Sequence, residues 1–200
     1  MTMANTTHTE PRIEPFDGNV TPAMMRLLLT ADPNEALVRD YLGNAKVLLC
    51  YADDAIAGIA VVIKHAEPAP NALAEHCSPT CELINIAVDT AYQGKGLAKA
   101  MIARCIDIAR GWQAHALEVG TGNSSLDQLA LYQKCGFRMH RIERGFFAAY
   151  PEPIIENGVQ CLDKVVLRMA LEEQTALSGT PIGRGIETRC DETAAAIVDG

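Results

Sequence analysis

The chain has no apolar run approaching the ~18 residues that a membrane span needs. Its opening, Met1-Thr2-Met3-Ala4-Asn5-Thr6-Thr7, carries neither a basic start nor an apolar block, so it does not read as a secretory signal. A cytoplasmic protein is expected, with no membrane partner. Positive charge is in short supply: 17 Lys and Arg stand against 25 Asp and Glu, a formal net charge of -8 at pH 7. Nucleic acid is thereby disfavoured, because neutralising phosphates takes clustered Lys and Arg. A cationic ligand such as an amine is compatible with that charge. Cysteines are present but unpaired in pattern: Cys50, Cys77, Cys81, Cys105, Cys135, Cys161 and Cys190 are odd in number and mostly flanked by apolar residues. They read as reduced thiols rather than a disulfide framework. His76, Cys77 and Cys81 lie close together, but no second Cys or His pair follows at ligand spacing, so no metal is expected. Internal repeats are absent, and so are the phosphate-binding patterns GxxxxGK[ST] and GxGxxG.

What is present suits one domain. The chain has 200 residues, and 48% of them are hydrophobic, ample for a core. Residues 1–11 are polar and read as a disordered tail. Residues 12–171 read as the folded domain. Residues 172–200 lose periodicity, gain Gly, Thr and charge, and read as a flexible tail. Within the domain, Arg12–Phe16 is a short strand. Thr21-Pro22 opens a helix with Thr as N-cap and Pro at the first position. Asp32-Pro33 opens a second helix that ends at Gly43. Lys46–Tyr51 and Ile56–Lys64 form a hairpin around Asp53-Asp54. A Pro- and Ala-rich loop, Glu67–Thr80, leads to a strand at Cys81–Val88 and a helix at Leu97–Arg110, ended by Gly111-Trp112. Ala116–Val119 is the next strand and Gly120-Thr121-Gly122-Asn123 a turn. Ser124-Ser125 opens a helix to Lys134, closed by Gly136 in the left-handed region. Phe137–Ile142 and Val159–Ala170 are the last strands, with an aromatic loop of Phe146, Phe147 and Tyr150 between them.

The stretch from Glu82 to Ala98 organises the rest. The apolar strand ends at Ile86-Ala87-Val88. The loop Gln93-Gly94-Lys95-Gly96 runs straight into a helix whose Ala98, Met101, Ile102, Cys105, Ile106 and Ala109 share a face. The first amides of a helix have no internal acceptor, and the helix dipole places partial positive charge there. Gly94 and Gly96 let an anion approach the backbone closely, and Lys95 and Lys99 add charge. A phosphate or a diphosphate fits this arrangement.

Gln93-x-x-Gly96-x-Ala98 after Ile86-Ala87-Val88 resembles the acetyl-CoA motif of the GNAT family of N-acetyltransferases. A second family motif stands about 35 residues further on, as Leu131-Tyr132-Gln133-Lys134-Cys135-Gly136-Phe137. The resemblance spans roughly Arg12 to Leu171 and is strongest from Glu82 to Phe137. It implies an α/β (α+β) GNAT fold: a mixed, mostly antiparallel sheet flanked by helices, with two parallel strands splayed to admit pantetheine. It implies acetyl-CoA as cosubstrate and no metal. It also implies a primary amine acceptor, either a small molecule or a peptide N-terminus. The first two helices would flank the acceptor, and domains of this kind commonly form homodimers. Gln93, Gly94, Lys95, Gly96, Leu97, Ala98 and Lys99 would hold the pyrophosphate. Ile86, Ala87 and Val88 would meet the pantetheine through the backbone. Many members carry Asn seven residues before the motif tyrosine. Here Ser125 stands in that place, with Asn123 two residues earlier, so either could make the pantetheine contact. Gln128 stands where a small residue is usual.

Acyl transfer to an amine sets two proton problems. Deprotonating an alkyl ammonium at pH 7 costs roughly 4–5 kcal/mol, and protonating the departing thiolate only about 2 kcal/mol. The base is the larger need. Glu118 and Glu82 are lone carboxylates in apolar strands and are the base candidates. Glu118 is similar in position to the glutamate of ribosomal-protein N-terminal acetyltransferases and is favoured, directly or through a water. Glu82 is similar in position to that of histone-type members. The resemblance makes Tyr132 the acid that protonates the coenzyme's sulfur. A binding module or sensor for CoA without catalysis is the alternative, and it would need neither the tyrosine nor the glutamates.

Overall fold

The computed structural model describes residues 11–52, 54–65, 79–148, 150 and 152–171. Both expected tails, apart from Pro11, lie outside the described residues, as do His76, Cys77, Cys190 and most of the loop before Thr80. Strand β1 (Arg12–Phe16) leads to helix α1 (Pro22–Ala31). Thr21 caps α1 as expected, its Oγ1 accepting the Met24 N–H at 3.3 Å. Helix α2 (Glu35–Leu42) starts later than the sequence suggests. Its N-cap is Asn34, whose Oδ1 accepts from Leu37 N–H, while Asp32 ends α1 and accepts the Asn34 N–H. Strands β2 (Ala45–Ala52) and β3 (Ala55–Lys64) form the hairpin. Then come β4 (Thr80–Val88), a short 3-10 turn at Thr90–Tyr92, α3 (Leu97–Gly111), β5 (Ala116–Gly122) and α4 (Leu126–Lys134).

Two expectations need correction. Gly120–Gly122 is not a turn: β5 continues through it because β9 pairs with it as far as Gly122↔Lys164. The single strand expected at Val159–Ala170 is two. After β6 (Arg138–Glu143), residues Ile155–Glu156 (β7) and Val159–Gln160 (β8) make their own small hairpin, and β9 (Lys164–Ala170) rejoins the main sheet.

The main sheet has seven strands in the order β1-β2-β3-β4-β5-β9-β6. All neighbours are antiparallel except β4 and β5. Helices α1 and α2 cover one face, where Met24, Leu28, Val38 and Tyr41 pack on Val47, Ile59 and Val61. Helices α3 and α4 cover the other, where Met101, Ile102, Cys105 and Tyr132 pack on Leu48, Ala60, Leu83 and Leu117. Each face alternates apolar residues along its strands, which holds the register. The two cores grip β4 from both sides at its middle.

Candidate active site

The parallel pair is short. It runs from Thr80↔Ala116 to Leu83↔Val119 and stops. Beyond that, Gly120–Gly122 pair only with β9, and Asn85–Val88 only with β3. The cause is visible in the β3–β4 register. Val61 faces Asn85 but Val62 faces Leu83, so Ile84 is an extra residue on β4. Such a bulge bends its strand and increases local twist. It turns β4 away from β5 at the point where their pairing ends, leaving a fork.

The bulge also decides which backbone groups face the fork. Asp89 N–H donates to Ala57 C=O at 2.9 Å. Antiparallel pairs alternate between bonded and unbonded positions, so Ala87 and Asn85 also turn their peptide groups to β3. Ile86 and Val88 turn theirs the other way, into the fork. Ala87, expected among the pantetheine contacts, turns its peptide groups to β3, and its methyl is buried against the α1 core. The Gln93 side chain reaches back and donates to the Val88 carbonyl at 3.1 Å, tying the loop to the strand end.

At the mouth of the fork, Gly94 and Gly96 take φ of 75° and 81°, a region that side chains disfavour. A Cβ at either would meet nothing within 4 Å, so the loop lies open above them. Ala100 N–H is the first in α3 with an acceptor, at Gly96 C=O. Among the described residues, no acceptor takes the backbone N–H of Gly94, Lys95, Gly96, Leu97, Ala98 or Lys99. This is a ring of unsatisfied donors at a helix start, the physical requirement for an anion site.

Tyr132 lies in the core on the α3–α4 face of the sheet, 5% exposed, edge-on to Phe137 at 6.1 Å. Burial pushes its phenol up to about 12, with the Cys135 and Cys105 thiols adding to the effect. Its hydroxyl makes no hydrogen bond among the described residues. The hydroxyl therefore keeps a free donor.

The two glutamates lie side by side. Glu82 and Glu118 are register partners in the parallel pair, one residue before it ends. Their neighbours Cys81, Leu83, Leu117 and Val119 point to the α3–α4 core, so both carboxylates point to the α1–α2 face. Glu118 is 13% exposed in its side chain. It accepts from Arg141 at 2.6 Å, with Arg168 at 3.8 Å and His140 at 4.0 Å. That bond raises the pKa of the Arg141 guanidinium. Glu82 is 21% exposed and meets His65 Nε2 at 2.9 Å and Lys164 Nζ at 3.4 Å. The sequence marked both carboxylates. It did not mark their partners, which come from the end of β3, from β6 and from β9.

Asn123 and Ser125 are engaged elsewhere. Asn123 Nδ2 donates to Gln160 C=O, and its Oδ1 accepts from Leu162 and Asp163 N–H. Ser125 and Ser124 hydroxyls both donate to Glu156, at 2.7 and 3.0 Å. Together they pin the β7–β8 hairpin to the start of α4, which is why Ser125 makes no side-chain cap on that helix. The aromatic loop packs on itself, Phe146 on Phe147 at 4.9 Å and Phe147 on Tyr150 at 5.7 Å. It borders the Glu82 site through Lys164, whose Nζ lies 5.2 Å from the Phe146 ring centre.

Comparison with known proteins gives a consistent result. The model of the acetyltransferase (GNAT) family matches residues 16–137. An uncharacterized N-acetyltransferase of Bacillus subtilis strain 168, YvbK, is 42% identical over 146 residues, covering 72% of this chain and 87% of that protein. A solved Bacillus subtilis acetyltransferase in complex with CoA superposes with a TM-score of 0.72 at 38% identity, over 82% of this chain and all of that one. A GNAT family acetyltransferase from Elizabethkingia anophelis with acetyl-CoA bound gives a TM-score of 0.68 at 37% identity, over 80% of this chain and 98% of that one.

Proposed function

The chain belongs to the GNAT family of acetyltransferases, and from that premise we propose that it moves an acetyl group from acetyl-CoA to a primary amine by direct attack within a ternary complex. The observation that carries this reading is the fork between β4 and β5, with an unpartnered tyrosine hydroxyl on one face of the sheet and a carboxylate pair on the other. Pantetheine lies in the fork and bonds the peptide groups of Ile86 and Val88. The diphosphate takes the amides from Gly94 to Lys99. CoA bound to two solved relatives near 38% identity supports the cosubstrate.

The chemistry then divides across the sheet. Acetyl-CoA supplies the activated acyl group. Peptide N–H groups in the fork polarise the thioester carbonyl. The amine enters from the α1–α2 face, where the carboxylates lie. Of the two, the geometry favours Glu82 as base over Glu118. Glu118 is committed to guanidinium groups, which hold their protons and do not relay them. Glu82 is bonded to His65, a side chain able to carry a proton onward to solvent. Glu118 holds Arg141 and Arg168 in place beside it. Tyr132 gives its proton to the departing sulfur. The acceptor is a small amine or a peptide N-terminus.

The test is thiol release from acetyl-CoA with a panel of primary amines. Turnover that falls in Glu82→Gln more than in Glu118→Gln supports the assignment. Calorimetric binding of CoA with no turnover on any amine would instead favour a sensor.

A further inference from the structure

A primary amine already sits at the fork, and it belongs to the protein. Lys164 opens β9 opposite Gly122, then folds back over Gly120; a Cβ on Gly120 would collide with its Cε. Gly120 is the first β5 residue past the last parallel pair. The Lys164 ammonium thus lies on the carboxylate face, at the point where the strands part. It is 3.4 Å from Glu82 Oε1 and 5.2 Å from the centre of the Phe146 ring. Its side chain is 21% exposed. A carboxylate to take the proton, an aromatic wall beside the cation and a place beside the thioester are what an acceptor amine needs.

We propose that Lys164 is a self-acetylation site, modified in cis by the acetyl-CoA that the same chain binds. The inference rests on the fork holding the thioester as described above. The step balances. The ammonium gives one proton to Glu82, which passes it through His65 to solvent. The free Nζ attacks the thioester carbon, a C–N bond forms and the C–S bond breaks. Tyr132 protonates the leaving sulfur and is restored by the second Nζ proton. Products are Nε-acetyl-Lys164, CoA thiol and one proton. The modified side chain has no positive charge, so it loses both the Glu82 ion pair and the attraction to Phe146. Glu82 keeps His65 and becomes available to an incoming ammonium. Acetylation of Lys164 thereby converts an occupied acceptor position into an open one.

The experiment uses the full chain, deuterated acetyl-CoA and no added amine, followed by peptide mass mapping. The label is expected on Lys164 at least about tenfold faster than on the exposed Lys95 or Lys134, because the bound geometry makes the step unimolecular. The initial rate per molecule should not change with protein concentration. Lys164→Arg keeps the charge and should lose the label; Tyr132→Phe should slow it. An unlabelled acetyl group already on Lys164 as purified, and missing from Tyr132→Phe, counts equally in favour. Label spread evenly over exposed lysines, or unchanged in Tyr132→Phe, would overturn the proposal. Calorimetry with CoA on the same sample separates the two levels. If CoA binds and Lys164 stays unmodified, the inference fails while the acetyltransferase reading stands. If CoA does not bind, both fail.

Discussion

Burial keeps the proton on Tyr132, which suits the acid role proposed for it. A phenol pushed up to about 12 remains neutral throughout the working range, and its hydroxyl has no competing partner among the described residues. Tyr132→Phe should lower kcat by roughly 10²-fold, the scale of general acid catalysis, and leave calorimetric CoA affinity unchanged. The same burial makes stability depend on alkaline pH. Tyr132 and Tyr41 are raised from 10.0 to about 12, Cys81 from 9.0 to about 11 and Cys105 from 9.0 to about 12. In each case the unfolded chain loses its proton first. The stabilisation is therefore complete below pH 9 and is lost as pH rises through 9 to 12. Melting temperature should fall across that window; a flat profile would contradict the burial. Asn85 poses a different problem. Its Nδ2 donates to Leu28 C=O and the Tyr41 hydroxyl, and it ties β4 to α1 and α2 beside the bulge. Asn85→Ala should cost roughly 1–3 kcal/mol by denaturant unfolding, because it strands buried polar groups. At this scale the sequence was partly legible. Glu82, Glu118 and Tyr132 stood out by type and by motif. That Glu118 is committed to arginines depends on β9 pairing with β5 and β6 with β9, which no local pattern encodes.

The elements that position the site fall into a local group and a non-local one. Strand β4, the glycine loop and α3 were readable to within a residue, because a strand, a left-handed turn and a helix start are each set by their own few residues. Gly96→Ala tests that turn. No atom crowds its Cβ, so the loss comes from the left-handed backbone alone, ~1–2 kcal/mol. A modest fall in melting temperature should accompany weaker CoA binding. The β7–β8 hairpin was not readable. Its strands are two residues each, and what holds them is Glu156 on Ser124 and Ser125, across about thirty positions of sequence. Glu156→Ala removes two charge-assisted hydrogen bonds. It should raise amide exchange in residues 154–162 by about tenfold or more, with far less change in β2 or β3. Nor was the full length of β5 readable, since Gly120 and Gly122 look like turn residues until β9 is placed beside them. Gly120 is small for another reason as well: the Lys164 side chain crosses over it.

Taken whole, the molecule is a sheet gripped on both faces and split at one end. The α1–α2 core and the α3–α4 core pack on β4 from both faces, and one extra residue, Ile84, steers it away from β5 after Leu83. Tyr132 lies below the sheet and the glutamates above it, so in the proposed mechanism the acid and the base act from opposite faces. The most direct test is a crystal structure with acetyl-CoA. The account predicts pantetheine between Ile86–Val88 and Gly120–Gly122, the diphosphate on the amides of Gly94 to Lys99, and the sulfur within hydrogen-bonding reach of the Tyr132 hydroxyl. Coenzyme bound outside the fork, or a Tyr132 hydroxyl turned away from the sulfur, would contradict it.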